Sequence, residues 1–137
     1  MKNRVILDTG PLVALINAHD RYHEWSKMQW ADMAPPLLTC EAVLSEACFL
    51  LRNSDGGSRI VLELLERNVL NIPFRLMEDV TQIAWLLKKY ADIPMSLADA
   101  CLVRMTELYP DSIVLTIDSD FNIYRKNKRN IIPTLSP

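Results

Sequence analysis

Two aspartates stand where strongly apolar segments end. Asp8 follows the apolar run at residues 5–7, and Asp118 follows residues 112–117, the clearest strand pattern in the sequence. An aspartate at such a point is suited to metal binding or acid–base chemistry. It also commonly hydrogen-bonds a turn or caps the next helix. Either aspartate alone is therefore explained by a turn or a cap as well as by catalysis.

Further carboxylates lie near the starts or along the faces of predicted helices. Asp99 follows Ser96 by three residues, the spacing of a capping box, so it could simply satisfy an amide at a helix start. Glu46 lies at the edge of an apolar helical stripe, where an exposed glutamate is the ordinary explanation. Asp120 follows Asp118 in a turn and could cap a short helix.

Taken together, these carboxylates predict a metal site. Two unit charges about 4 Å apart repel by about 4 kcal/mol at an effective dielectric constant of about 20. Several such pairs require protonation or a bound cation. Oxygen ligands at a site that retains water suit Mg²⁺ or Mn²⁺. Such ions activate water and stabilise both oxygens of an in-line phosphoryl displacement, so no histidine base is required.

The order of predicted elements places the carboxylates at one edge of one sheet. Short apolar runs predict strands at residues 5–7, 37–38, 69–74, 112–117 and 131–132. Helical patterns lie between the first four, and this alternation predicts a mainly parallel sheet flanked by helices. Ligands of open parallel sheets bind beyond the carboxyl ends of the strands, where the two strand-end aspartates would project.

Prolines and capping residues predict where the helices begin. Pro11 suits the first position of the first helix. The second helix is expected to begin near Asp20, Thr39 is expected to cap the third, and Ser96 is expected to open the helix that carries Asp99.

Length and composition predict a single domain over residues 1–137. The net charge of −2 does not indicate nucleic-acid binding, which must then depend on local charge. No apolar stretch approaches the roughly 20 residues of a membrane span. Residues 1–4 precede only three apolar residues, too few for a signal-peptide core. Three cysteines without zinc-site spacing suit a reducing cytosol, so a cytoplasmic protein without membrane association is expected.

Four segments, in order, resemble the acidic motifs of PIN-domain proteins, and most of all those of the ribonuclease toxins of type II toxin–antitoxin pairs. They are residues 5–15 with Asp8, 39–46 with Glu46, 96–100 with Asp99, and 116–121 with Asp118 and Asp120. The resemblance implies a three-layer α/β/α sandwich with a mainly parallel five-stranded sheet. It also implies a Mg²⁺ or Mn²⁺ site, endonucleolytic cleavage of RNA, a homodimer and, for toxins, an antitoxin protein that blocks the site.

The resemblance also implies a role for each site residue. The catalytic residues and metal ligands would be the four motif carboxylates, Asp8, Glu46, Asp99 and Asp118. Glu46 would bind the metal directly or through water, and Asp120 would bind a second ion or orient water. Thr9 and Thr116 would hydrogen-bond metal-bound water or phosphate.

A basic run and three tryptophans are further candidates for RNA contact. The basic residues are Arg125, Lys126, Lys128 and Arg129. They follow the fourth motif closely, so they would contact phosphate near the site or else form a solvated loop. Trp25, Trp30 and Trp85 could stack on bases. Packing in the core or in a dimer interface is the better explanation for Trp85, which lies on an apolar helix.

Three rival functions are compatible with parts of this pattern. The first is a non-catalytic PIN-fold module that binds RNA or a protein. The second is a phosphotransfer enzyme or receiver domain with Asp8 or Asp118 as nucleophile. It is disfavoured because Asp8 has no adjacent acidic residue and the first lysine after Asp118 is Lys126. The third is the same nuclease chemistry on DNA.

Overall fold

The computed structural model describes residues 4–137, so residues 1–3 of the expected domain and N-terminus lie outside the described residues. The helices are α1 (Thr9–Ile16), α2 (His23–Ala31), α3 (Glu41–Leu50), α4 (Gly57–Glu66), α5 (Val80–Lys89) and α6 (Leu97–Leu108). The strands are β1 (Arg4–Leu7), β2 (Leu37–Leu38), β3 (Leu70–Asn71), β4 (Ser112–Leu115), β5 (Arg125–Lys126), β6 (Asn130–Ile131) and β7 (Thr134–Leu135). Short 3-10 helices span Leu76–Asp79 and Ser119–Asn122.

Five of the strands form one parallel sheet in the order β3-β2-β1-β4-β7. The longest pairing joins β1 to β4, with Leu7 opposite Leu115. Because both strands run in the same direction and end in register, the residues that follow them emerge side by side. Asp8 follows β1 directly, and its backbone N–H donates to the carbonyl of Leu115 over 3.0 Å.

Neighbouring residues of the central strands point to opposite faces of the sheet, and each face has its own apolar core. Ile6 and Val114 belong to a cluster that includes the buried side chains of α5 and α6. Leu7 and Leu115 belong to a second cluster that includes those of α1 and α4. Helices therefore cover both faces, which confirms the predicted α/β/α arrangement and the mainly parallel five-stranded sheet.

The position of the last strand differs from the prediction. The sheet's fifth strand is β7, whereas the predicted strand was Ile131–Ile132. Ile131 instead belongs to β6, which pairs antiparallel with β5 in a separate hairpin. The apolar pair was a misleading indicator because only Ile132 is buried, while Ile131 is exposed on the hairpin.

Three predicted helix starts were also wrong. The α1 helix begins at Thr9, two residues before Pro11, because the Asp8 side chain already accepts the Thr9 N–H. Thr39 does not cap α3, since its hydroxyl donates to the carbonyl of Leu7 over 2.9 Å and joins β2 to β1. Asp20 accepts the N–H of Tyr22 in a local turn, and α2 starts after that turn.

Trp85 is 41% exposed, so it does not pack in the core of the chain, and packing in a dimer interface stays a prediction. Within the part of the chain that the structure describes, no helix is long and apolar enough to cross a membrane.

Candidate active site

Four carboxylates line one open cavity of about 440 Å³ beyond the carboxyl ends of β1 and β4. They are the side chains of Asp8, Glu46, Asp99 and Asp118. Within residues 4–137, no lysine, arginine or histidine lines this cavity. The acidic charges of the site therefore have no cationic side chain beside them to offset their repulsion.

Asp8 is the most buried of the four carboxylates, and hydrogen bonds hold both of its oxygens. Oδ1 accepts the backbone N–H of Thr9 over 2.7 Å, and Oδ2 accepts the hydroxyl of Thr116 over 2.7 Å. Burial raises the pKa of Asp8 to about 6, and the charges of Asp99 and Asp118 add to the rise. The two hydrogen bonds offset only part of this effect. A cation bound at this edge of the sheet would favour the ionised form.

Thr116 connects the first and fourth acidic motifs. Besides donating to Asp8, its hydroxyl oxygen accepts the backbone N–H of Asp118 over 2.9 Å. Asp118 is exposed, and its Oδ1 accepts the backbone N–H of Asp120 over 2.9 Å. The loop after β4 is thus folded back on itself, and this fixes the direction in which the Asp118 carboxylate leaves the sheet.

Asp99 is held at the start of α6 by three hydrogen bonds. Ser96 and Asp99 form the predicted capping box, in which Ser96 Oγ accepts the Asp99 N–H over 3.0 Å and Asp99 Oδ2 accepts the Ser96 N–H over 3.3 Å. The hydroxyl of Tyr124 donates to the same Oδ2 over 3.1 Å. Burial raises the pKa of Asp99, and the charges of Asp118 and Glu46 raise it further.

Tyr124 is a site residue that the sequence analysis did not identify. Its side chain is fully buried, and burial together with the nearby Asp99 carboxylate raises the pKa of its hydroxyl. Its ring packs edge-on against Tyr90 and Phe121. The only available indication was an aromatic residue soon after the fourth motif, and this does not reveal a contact with the third motif.

Glu46 extends from α3 towards the other carboxylates and is itself exposed. Its Oε1 accepts the hydroxyl of Thr9 over 2.9 Å. Thr9 therefore supports two carboxylates, because its N–H also donates to Asp8. This contact explains why a glutamate at the margin of an apolar helical stripe faces the site instead of bulk solvent.

The structure brings together most, but not all, of the residues proposed from the sequence. Asp8, Glu46, Asp99, Asp118 and Thr9 line the cavity, and Thr116 lies directly behind Asp8. Asp120 does not line it and contributes only a backbone N–H to Asp118. Arg125, Lys126, Lys128 and Arg129 do not line the cavity either, and the turn after Lys126 contacts Glu107 at the far end of α6 from Asp99. Phosphate contact by these four residues stays a prediction.

The carboxylates do not converge on a single point. Among residues 4–137, no group of three or more histidine, cysteine or acidic side chains is arranged so that it could hold one ion as it stands. The chemistry of the donor set nevertheless fits a hard divalent cation, since every ligand offered is an oxygen and two of the carboxylates have raised pKa values.

A larger cavity of about 770 Å³ lies between α3, the start of α6 and the segment after β3. Its lining is mainly apolar and includes the thiols of Cys40 and Cys101 but only one carboxylate, that of Glu41. It offers no set of acid, base or nucleophile comparable with the carboxylate cavity, so we assign the candidate active site to the smaller one.

Comparison with known proteins agrees with this geometry. The sequence model of the PIN domain matches residues 5–127. The chain belongs to the PIN domain family. A comparison with curated protein sequences finds no significant match. The structure of this PIN domain is similar to that of VapC20 from Mycobacterium tuberculosis, described as a Sarcin-Ricin loop cleaving toxin, with a TM-score of 0.74 and 22% identity over 94% of this chain and 99% of that chain. This similarity confirms the fold.

Proposed function

We propose that this PIN domain is a metal-dependent endoribonuclease that hydrolyses phosphodiester bonds of RNA. The observation that carries the proposal is the cavity at the ends of β1 and β4, where four carboxylates gather without a cationic side chain among residues 4–137. Folding has placed carboxylates together, and burial, with a smaller contribution from the neighbouring charges, raises the pKa values of Asp8 and Asp99. Such an arrangement is typical of a functional site and not of a structural one.

The ion proposed for this site is Mg²⁺ or Mn²⁺. Asp8, Asp99 and Asp118 would hold it, Glu46 would bind it directly or through water, and Asp120 would orient water or contribute to a second ion. A divalent ion of this kind activates water and offsets the charge that develops on the phosphate oxygens.

The chain's own residues orient these carboxylates. Thr116 holds Asp8 and the loop of Asp118 in a fixed relationship, and Tyr124 and the Ser96 N–H hold one oxygen of Asp99. Groups fixed in this way undergo little reorganisation during the reaction, which is how a preorganised site lowers a barrier. With no histidine in the cavity, the carboxylates are also the only side chains among residues 4–137 there that could accept a proton at neutral pH.

We further propose that the protein acts as the toxin of a toxin–antitoxin pair. The four motifs resemble those of ribonuclease toxins, and the similar structure, VapC20, is described as a toxin that cleaves the sarcin–ricin loop. A homodimer and a cognate antitoxin that blocks the site are proposed from the same resemblance. A single domain over residues 1–137 is proposed from length and composition, and a cytoplasmic location from the three cysteines.

The test is cleavage of a mixed pool of cellular RNA with Mg²⁺, with Mn²⁺ and with EDTA. Asp8→Asn and Asp99→Asn are compared with the wild type after thermal melts show that both variants fold. Asp32→Asn, at an exposed aspartate that ends α2, makes the same chemical change outside the site. We expect discrete products that require metal, vanish in both site variants and persist in Asp32→Asn.

The opposite result would favour the rival binding module. If wild type and site variants behave alike, the cleavage is a contaminant and the proposed activity is wrong. The absence of a converged ion site among residues 4–137 is the observation that gives this rival weight. Calorimetry decides between the two, because the nuclease must bind Mg²⁺ or Mn²⁺ through the carboxylates and the binding module need not. A parallel cleavage assay on single-stranded DNA tests the third rival, in which the same nuclease chemistry acts on DNA.

A further inference from the structure

An exposed basic surface surrounds Trp85, remote from the carboxylate cavity. The ammonium group of Lys89 lies 5.1 Å from the centre of the Trp85 ring, and that of Lys128 lies 5.4 Å from it. The turn that carries Lys128 contacts Glu107, eight residues along α6 from Asp99. At about 1.5 Å per residue, this is a separation of roughly 12 Å along the helix.

The cations of this surface have no acidic partners. Within residues 4–137, none of Lys88, Lys89, Lys128 and Arg129 forms a salt bridge. The neighbouring carboxylate of Glu107 already accepts from the Arg104 guanidinium over 3.0 Å and from the Asn127 N–H over 2.7 Å. The surface therefore keeps its positive charge, although the net charge of the chain is negative.

Lys128 occupies a backbone conformation that favours glycine. Its φ angle is 70°, and that of Asn127 is 50°. Asparagine tolerates the left-handed region, but a lysine there is less stable than a glycine. Lys89 stabilises the turn by donating its ammonium group to the Lys128 carbonyl over 2.8 Å.

A partly buried ionic network fixes the turn in place. Arg104 bonds Asp79 over 2.8 Å and Glu107 over 3.0 Å, and Glu107 in turn accepts the Asn127 N–H. The two carboxylate side chains are only 12% and 11% exposed. The backbone beside Lys128 is thus anchored to this ionic network through Asn127, which reduces the conformational entropy that ligand binding would cost.

We propose that the surface formed by Trp85, Lys89 and Lys128, with Lys88 and Arg129 at its edge, binds the phosphate backbone of single-stranded RNA. This inference rests on the proposed ribonuclease function, since RNA is the polyanion which that function requires. Lysines recognise phosphates, and an exposed indole can stack on a base. RNA that reaches both this surface and the carboxylates must span about 12 Å or more. The favoured substrates are therefore single-stranded segments long enough to reach both.

The test measures RNA binding without cleavage. The probe is a fluorescein-labelled single-stranded RNA of about 20 nucleotides, which is longer than usual single-strand binding sites. Its fluorescence anisotropy gives the Kd in EDTA at a series of KCl concentrations. The logarithm of the association constant falls with the logarithm of the salt concentration. Each phosphate that the protein no longer neutralises decreases the steepness of this fall by about 0.7. We expect that decrease for Lys128→Gly and about 1.4 for Lys89→Ala combined with Lys128→Gly, with weaker binding in both.

Misfolding cannot explain this outcome. Glycine favours the φ angle at position 128, so Lys128→Gly should melt at the wild-type temperature or above it. The control for the double variant is Lys27→Ala combined with Arg59→Ala, which removes the same two positive charges from ion-paired positions elsewhere. We expect this control to leave the salt dependence of RNA binding unchanged.

Three results would overturn the inference. They are an unchanged slope in the folded Lys128→Gly variant, an equal decrease in the Lys27 and Arg59 control, or a polyglutamate peptide that binds as tightly as RNA through the same lysines. The last result would assign the surface to an acidic protein segment. Failure of the proposed nuclease is distinguishable, because binding in EDTA does not depend on cleavage.

Discussion

Thr116 donates its hydroxyl to Oδ2 of Asp8 and, through the same oxygen, accepts the backbone N–H of Asp118. One side chain thereby fixes the relative positions of the first and fourth acidic motifs, which are far apart in the sequence. The hydroxyl is buried and uses both of its hydrogen-bonding roles, so a residue of the same shape without the oxygen would disconnect the two motifs.

Thr116→Val should therefore impair catalysis more than folding. We expect RNA cleavage to fall by about 10- to 100-fold, the usual cost of removing a group that orients a metal ligand, and the Mg²⁺ concentration for half-maximal activity to rise. The control is Thr106→Val, which removes another buried hydroxyl that donates only to the Val103 carbonyl within α6. Equal reductions in cleavage for the two folded variants would contradict a specific role for Thr116.

Tyr124→Phe should weaken the site through Asp99. The hydroxyl of Tyr124 donates to Asp99 Oδ2, and the rest of the ring only packs against other aromatic residues. Without the hydroxyl, the ionised Asp99 carboxylate loses one of the hydrogen-bond donors that stabilise it and fix its orientation. We expect kcat to fall by about 10-fold with little change in KM, measured on a labelled RNA that contains one cleaved site.

Tyr90→Phe is the matched control for that prediction. The Tyr90 hydroxyl accepts the backbone N–H of Arg125, and its ring packs against Tyr124 without contacting a site carboxylate. We expect the free energy of unfolding to fall by about 1 kcal/mol and kcat to stay nearly unchanged. A comparable fall in kcat for both variants would show that aromatic packing matters and that the bond to Asp99 does not.

The positions of Asp8, Asp99 and Asp118 were predictable because local sequence determines them. Asp8 and Asp118 follow apolar strands, and Ser96 with Asp99 has the spacing of a capping box, which the structure contains. Glu46 was harder to place, since its helical position allowed either solvent or the site. Its contact with Thr9 required the packing of α3 beside α1.

Other features depend on contacts between distant segments and could not be inferred from local pattern. The bond from Tyr124 to Asp99 crosses from the loop after β4 to the start of α6. The fifth strand was misplaced because an apolar pair was a stronger local indicator than Thr134–Leu135, whose pairing with β4 is a tertiary contact. Trp85 lies on a correctly predicted helix. The spacing of apolar residues shows which face of a helix is apolar, but it does not show which residues at the margin of that face other elements bury.

Arg104→Met should destabilise the protein strongly. Arg104 pairs with Asp79 and Glu107, which are largely buried, so its removal leaves two carboxylates without a cationic partner. We expect the free energy of unfolding to fall by about 3 kcal/mol in urea denaturation. Arg59→Met breaks an exposed pair with Glu63, and we expect a change under about 0.5 kcal/mol. Similar small effects in both variants would contradict the bracing role of the Arg104 network.

In the metal-free protein, Asp8→Asn should abolish a loss of stability that the wild type undergoes as the pH rises to neutrality. The pKa of Asp8 is raised from 3.8 to about 6 because the carboxyl is buried. Below pH 3.8 the carboxyl is protonated in both folded and unfolded chains. Between those values the folded protein holds a proton that the unfolded chain has released, so stability falls as the pH rises, and above about pH 6 the deficit is constant. Two pH units correspond to about 3 kcal/mol.

Urea denaturation in EDTA at pH 4 and at pH 7 tests this prediction. Asp8→Asn lacks the titrating group, so its stability relative to wild type should improve by up to about 3 kcal/mol between the two pH values. Asp32→Asn makes the same chemical change at an exposed aspartate outside the cavity and is the control. Adding Mg²⁺ at pH 7 should stabilise the wild type more than Asp8→Asn, because an ion held by the native carboxylates favours the folded state. If the difference in stability between Asp8→Asn and wild type is the same at pH 4 and at pH 7 without metal, burial and the neighbouring carboxylates do not raise the pKa of Asp8, and the argument for a cation site there fails with it.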